Sequence, residues 1–169
     1  MKKYNVAVVG ANGAVGEEIL TILQEIDFPL ERLIPLASAR SLGKTVSFGS
    51  EELPIIELTD DVFEEYGIEI ALFSAGGSVS EKFAPAAVKA GAVVIDNTSH
   101  FRMVENIPLV VPEVNPEDIA NWKETGIIAN PNCSTIQMVQ ALKPLDTVYD
   151  LQRVDVSTYQ ATSGAGKTA

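Results

Sequence analysis

The chain is poor in cysteine, histidine and tryptophan, with one of each among 169 residues. A lone Cys133 cannot form an internal disulfide, so a packed core must hold the fold, and a reducing cytoplasm is the expected compartment. Basic residues are also scarce: 12 lysines and arginines stand against 23 aspartates and glutamates, for a formal charge of −11. This balance repels nucleic acid and anionic membranes, and no partner of either kind is expected. A polyanionic ligand would have to be held by backbone dipoles and a few placed cations. The acidic residues are scattered in pairs such as Glu51-Glu52 and Asp60-Asp61 rather than gathered into a tail, as on a solvated surface. No apolar run approaches the length of a membrane span, and Met1-Lys2-Lys3-Tyr4-Asn5 leads into a short strand rather than a signal segment. No metal site is expected.

With 46% hydrophobic residues, the chain can bury one core and is short for two. Tyr4 to Val9 reads as a strand, and Val15, Ile19, Leu20, Ile22, Leu23 and Ile26 then recur at helical spacing. The alternation returns with strands at 33–37, 68–74, 92–96 and 127–129, and helices at 79–90, 115–124 and 135–145. Short apolar strands alternating with helices predict an α/β fold of Rossmann type, a mostly parallel, doubly wound sheet with both faces covered. Residues 153–159 alternate apolar and polar, a pattern for a strand with one wet face, read as the start of a second domain. The glycine-rich turn Ser163 to Ala169 then has nothing after it to pack on, which points to truncation.

Gly10-Ala11-Asn12-Gly13-Ala14-Val15-Gly16 sits between the first strand and the first helix. Small residues there let the backbone approach a pyrophosphate while the helix N-terminus offers free N–H groups. The spacing is one residue longer than the commonest dinucleotide fingerprint, and the plainer alternative is a turn that only fixes strand-to-helix packing. After the second strand, an NAD site would usually place an acidic residue against the ribose hydroxyls. Here stands Ser38-Ala39-Arg40-Ser41-Leu42-Gly43-Lys44, in which Arg40 suits a 2′-phosphate. Taken with the glycine turn, this favours NADP over an ordinary basic loop.

Asn130-Pro131-Asn132-Cys133-Ser134-Thr135 lies between a strand and a helix, placing Cys133 near a helix N-terminus, where dipole and free N–H groups favour an anion. A free cysteine is commonly a small buried hydrophobe. A thiolate is nevertheless the sensible nucleophile for an aldehyde, because the thiohemiacetal can lose hydride to a nicotinamide and become a thioester. His100, the one histidine, has a surface or packing role as its plainer reading and a general base as the sharper one. Arg102, on a loop beyond a strand's carboxyl end, can hold a carboxylate or phosphate; a surface salt bridge is its alternative.

Together, Gly10 to Gly16, Ser38 to Lys44, Phe73-Ser74-Ala75-Gly76, Asp96 to Arg102, Val111-Pro112-Glu113-Val114-Asn115, Asn130 to Gln137 and Ser157 to Lys167 resemble the aspartate-semialdehyde dehydrogenase family. The resemblance covers nearly the whole chain in the family's order. It implies reversible, NADP-linked and phosphate-dependent conversion of L-aspartate 4-semialdehyde to L-aspartyl 4-phosphate, in lysine, threonine, methionine and diaminopimelate biosynthesis. By motif, Cys133 would be the thioester nucleophile, Arg102 would bind phosphate, and Gln160 and Asn132 would serve the substrate. Gly10, Asn12, Gly13, Ala14, Val15, Ser38, Arg40, Ser41, Ser74, Ala75, Gly76, Ser163 and Gly164 would contact NADP.

The resemblance also divides the chain, into an NADP-binding domain at 1–132 and, at 133–169, the cysteine helix with the start of a truncated α+β catalytic and dimerisation domain. The family's second half supplies the acid/base histidine and most of the contact of a homodimer or dimer of dimers. The 169-residue chain alone is therefore expected to bind NADP weakly and to be inactive. N-acetyl-gamma-glutamyl-phosphate reductase shares this chemistry, although the Gln137 and Gln160 contexts favour the aspartate enzyme. A non-catalytic NADP-binding module is the other alternative. A nucleotide phosphate loop ending at Gly166-Lys167-Thr168 lacks the glycine its motif needs, since Ala161 stands in that place.

Overall fold

The protein is described here by a computed structural model, which covers residues 2–160. Strand β1 (Tyr4–Val9) is central in a six-stranded sheet, flanked by β2 (Leu30–Ala37) and β6 (Ile70–Phe73). The two-residue β5 (Ile56–Glu57) closes one edge, while β7 (Val93–Asp96) and β8 (Ile127–Ala129) complete the other, in the order β5-β2-β1-β6-β7-β8. Every pairing in this sheet is parallel, with Val6 opposite Leu33 on one side and Ile70 on the other. A separate antiparallel hairpin, β3 (Thr45–Phe48) with β4 (Glu51–Pro54), follows the second strand. It and β5 escape the sequence reading because they are too short to show a period.

Alternate residues of β1 serve two cores, as the pleat requires. Val6 and Val8 pack with Leu20 and Leu23 of α1 (Ala14–Glu25). Ala7 and Val9 pack on the opposite face with Phe63 of α2 (Val62–Glu65), Phe73, and Ala84 and Ala87 of α3 (Gly77–Lys89). The fold class is as the sequence predicts, an α/β domain of Rossmann type. Each face of the sheet carries a core, as expected, and the cover is thinnest over β7, where Ile95 remains 37% exposed. On that side α1 packs against β1, while α5 (Cys133–Tyr149) contributes no fully buried residue.

Two local expectations also change. The helix expected at 115–124 is a 3-10 stretch, Pro116–Asn121, followed by the single turn α4 (Trp122–Thr125), which Gly126 closes at φ 75°. Asn115 organises the loop before it, accepting from Val111 N and donating to the Leu109 carbonyl. The strand expected at 153–159 is absent: residues 151–160 have no regular secondary structure, and Val154 and Val156 are exposed. Alternation supplies a strand's side chains but not its backbone partners, and no described strand lies alongside.

Candidate active site

The strand order reverses direction between β1 and β6, so the connections leaving their carboxyl ends diverge and open a crevice, the usual ligand position in such sheets. A cleft of about 470 Å³ lies here, lined by Gly10, Asn12 and Gly13 after β1, Ser38 and Arg40 after β2, and Ser74 and Ala75 after β6. Leu58, Val79 and Phe83 form an apolar wall that sequence reading did not identify.

Steric necessity explains the glycines. Gly10 has φ 90°, and a Cβ there would stand 3.1 Å from backbone and side-chain atoms of Ala75. A Cβ at Gly16 would stand 2.2 Å from the Gly10 carbonyl oxygen. The turn is closed by Gly13 N donating to that oxygen at 2.9 Å, and Gly10 N donates across to the Leu36 carbonyl at 2.8 Å. Asn12 Nδ2 donates to Ser41 Oγ at 2.9 Å, tying the glycine turn to the loop bearing Arg40. Ser74 donates to the Val9 carbonyl from both its backbone N and its Oγ, which binds the third loop to the first.

Arg40 is exposed and makes no ion pair among the described residues. Gly76 caps α3 at φ 103°, and Ser41 is buried beneath the rim. Ala14 and Val15 open α1 rather than line the cleft; Val15 faces an apolar groove shared with Leu72 and Ile95. Ser163 and Gly164 lie outside the described residues.

Cys133 is the first residue of α5, two residues earlier than the helix expected from sequence. The Asn132 side chain caps this helix by accepting from Thr135 N at 2.9 Å, and Cys133 is exposed and free. Arg102 is half-buried and held by carbonyls rather than by a carboxylate. Its Nε donates to the Asn130 oxygen at 2.9 Å and its Nη2 to the Asn97 oxygen at 3.0 Å. The surface salt bridge considered for it is not formed among the described residues. Because Asn130 stands three positions before Cys133, the cation and the thiol share one strand-to-helix junction.

Gln160 is exposed, and no hydrogen bond joins it to Cys133 or Arg102. His100 packs edge-on against Phe101, with ring centroids 4.5 Å apart. Sequence reasoning missed Asn97 and Asn130, whose side chains bond at 2.6 Å; their places just past β7 and β8 were the available signal. Two surface carboxyls are held below the ordinary carboxylate range, Glu52 by hydrogen bonds from Ser47 and Thr45 and Glu69 by one from Lys2; neither lines the cleft. Among the described residues, no helix is long and apolar enough to cross a membrane.

Comparison with known proteins agrees with this arrangement. Residues 5–122 match the family described as semialdehyde dehydrogenase, NAD binding domain. An aspartate-semialdehyde dehydrogenase of Campylobacter jejuni is 67% identical over 166 residues, 98% of this chain and 48% of the relative. Among solved structures, aspartate semialdehyde dehydrogenase II from Vibrio cholerae, complexed with ASA, superposes with a TM-score of 0.94 at 53% identity, covering 99% of this chain and 49% of that one. The Candida albicans enzyme with NADP gives a TM-score of 0.68 at 28% identity over 86% of this chain and 47% of that one. The chain thus spans about half the length of the curated relatives it matches. With the family's matched region taking in the glycine turn and both flanking loops, the chain belongs to the semialdehyde dehydrogenase family and carries its NAD-binding domain.

Proposed function

We propose that this chain supplies the cofactor cleft and the nucleophilic cysteine of an NADP-linked, phosphate-dependent aspartate-semialdehyde dehydrogenase. The observation that carries this reading is the junction of β8 and α5, where an exposed Cys133 opens a capped helix and Arg102 is bonded to the carbonyl of Asn130. The relatives named for this activity, one of them complexed with ASA and another with NADP, support it.

The cleft fits a dinucleotide. Its glycine positions leave space that a Cβ would fill, the N-terminus of α1 faces the turn, and Arg40, with no ion pair among the described residues, offers a cation for a 2′-phosphate. Gly10, Asn12 and Gly13 would hold the pyrophosphate, Ser38, Arg40 and Ser41 the phosphorylated ribose, and Ser74 to Gly76 the nicotinamide side. Bound NADP supplies a hydride acceptor. Cys133, as the thiolate, adds through sulphur to the aldehyde carbon and places the negative charge on oxygen. Loss of hydride from that carbon leaves a thioester on Cys133. Arg102 holds phosphate beside the thioester; a phosphate oxygen bonds to the acyl carbon, the C–S bond breaks, and the thiolate returns as the acyl phosphate departs.

We assign residues 133–169 to the catalytic unit because α5 buries none of its residues fully in the cofactor domain. Within that unit Gln160 would serve the substrate while Ser163 and Gly164 would contact NADP, and the whole would act as a cytoplasmic homodimer or dimer of dimers. The test is an assay of the full-length product with aspartate semialdehyde and N-acetylglutamate semialdehyde, with Cys133→Ser as control. Phosphate-dependent NADPH formation from the first substrate alone, abolished in the variant, is expected; activity that survives the substitution refutes the reading.

A further inference from the structure

The last residue of β7, Asp96, is wholly buried, and no cation pairs with it among the described residues. Its Oδ1 accepts from Ser80 Oγ at 2.7 Å and from Thr98 N at 3.1 Å, while its Oδ2 accepts from Thr98 Oγ1 at 2.9 Å. Ser80 is equally buried, on α3, and Thr98 nearly so. Such a group costs free energy to desolvate and is poor evidence of added stability, but a fully bonded buried network fixes the segments that share it.

The shared segments are α3, the end of β7 and the loop that reaches Arg102. Asn97, between Asp96 and Thr98, accepts from Arg102 Nη2 at its backbone carbonyl and from Asn130 Nδ2 at its Oδ1. The Asp96 carbonyl accepts from Asn130 N at 3.1 Å, and the Asn130 carbonyl accepts Arg102 Nε. Arg102 therefore bonds only to neutral carbonyls through Nε and Nη2, and its charge meets no carboxylate among the described residues. A half-buried guanidinium oriented in this way is poised for an external anion.

We propose that Asp96, Ser80 and Thr98 form a buried positioning device that sets Arg102 against the Asn130–Cys133 junction, so that phosphate affinity depends on three residues that do not touch phosphate. This rests on the reading of Arg102 as the phosphate site. Thr98→Val keeps the side-chain volume and deletes the hydroxyl that bonds Asp96 and accepts from His100 N.

In the full-length enzyme, Thr98→Val should raise the KM for phosphate by about tenfold with kcat at saturating phosphate within about twofold of the parent. The KM for NADP and the alkylation rate of Cys133 should stay near the parent values, and Thr98→Ser should restore phosphate KM. In an Arg102→Gln background, Thr98→Val should add nothing further. Ser80→Ala is the second probe should the valine variant not fold. Unchanged phosphate KM in Thr98→Val beside a raised one in Arg102→Gln overturns the positioning role alone. An equal loss of NADP and phosphate affinity also overturns it, as general destabilisation. Unchanged phosphate KM in Arg102→Gln overturns the phosphate reading and this inference with it.

Discussion

Replacing Gly16 with alanine sets two effects of opposite sign against each other. Gly16 is the third residue of α1, where alanine should gain about 1 kcal/mol in helix preference. Its Cβ, however, would lie 2.2 Å from the Gly10 oxygen and 2.8 Å and 2.9 Å from Cα and C of Ala11, all of them backbone atoms. Reaching an ordinary carbon–oxygen contact requires a separation of about 1 Å between helix and turn, and overpacking of this kind costs about 1–3 kcal/mol. The upper end applies, because no side chain can rotate away and the turn is closed by Gly13 N to Gly10 O and Glu17 N to Gly13 O. The net loss is about 1–2 kcal/mol, which lowers Tm by about 2–8 °C in a domain of this size. The displaced turn is also the one expected to hold the pyrophosphate, so NADP affinity should fall by about tenfold, or ~1.4 kcal/mol. Thermal unfolding followed by circular dichroism, with calorimetric titration of NADP, measures both. A variant with parental or higher Tm and NADP affinity within about twofold would falsify the steric account of the loop.

Asn132→Ala removes the acceptor of Thr135 N and should cost about 1 kcal/mol locally, seen as roughly fivefold faster amide exchange in the first turn of α5; unaltered exchange would mean the cap contributes nothing. Arg40→Ala should raise the Kd for NADP by about 10- to 100-fold while sparing NAD, from loss of charge-assisted bonds to the 2′-phosphate. An equal effect on both cofactors would place Arg40 elsewhere. The Lys2–Glu69 pair, at 2.8 Å, predicts a pH dependence. The hydrogen bond from Lys2, then that from Asn5 N, holds the Glu69 carboxyl below its ordinary 4.5, so its small stabilisation is present above that value and fades as pH falls through the folded-state one. Lys2 is raised above 10.5 by the same bond, and its share fades only as pH rises through the higher value. Thermal unfolding of Glu69→Gln against the parent should therefore differ at neutral pH and converge as acid protonates the carboxyl; a gap that does not shrink as pH falls below the ordinary carboxylate range contradicts the assignment.

Much of the site was legible before the fold was known because its chemistry is local. Gly13 and Gly16 occupy positions where a side chain would crowd the backbone of Gly10 or Ala11, only a few residues away. Asn132 caps the helix that begins at its own neighbour, so a short sequence window contains both the cap and Cys133. Residues 153–159 show the limit of that legibility: alternation describes a strand's faces, whereas pairing depends on a neighbour that sequence does not name.

The order of chemistry-bearing loops along the chain was thus determined by sequence, and their convergence by tertiary structure. Parallel pairing of β1 with β6 brings Ala75 against Gly10, and pairing of β7 with β8 lets Arg102 reach the carbonyl of Asn130, 28 positions away. Asp96 illustrates the distinction most sharply. In sequence it is one acidic residue among 23; only the sheet register and the packing of α3 make it a buried acceptor for Ser80 and Thr98. The physical reason is range: turn sterics and helix caps act between near neighbours, whereas a buried hydrogen-bond network exists only after distant strands have paired and water has been excluded.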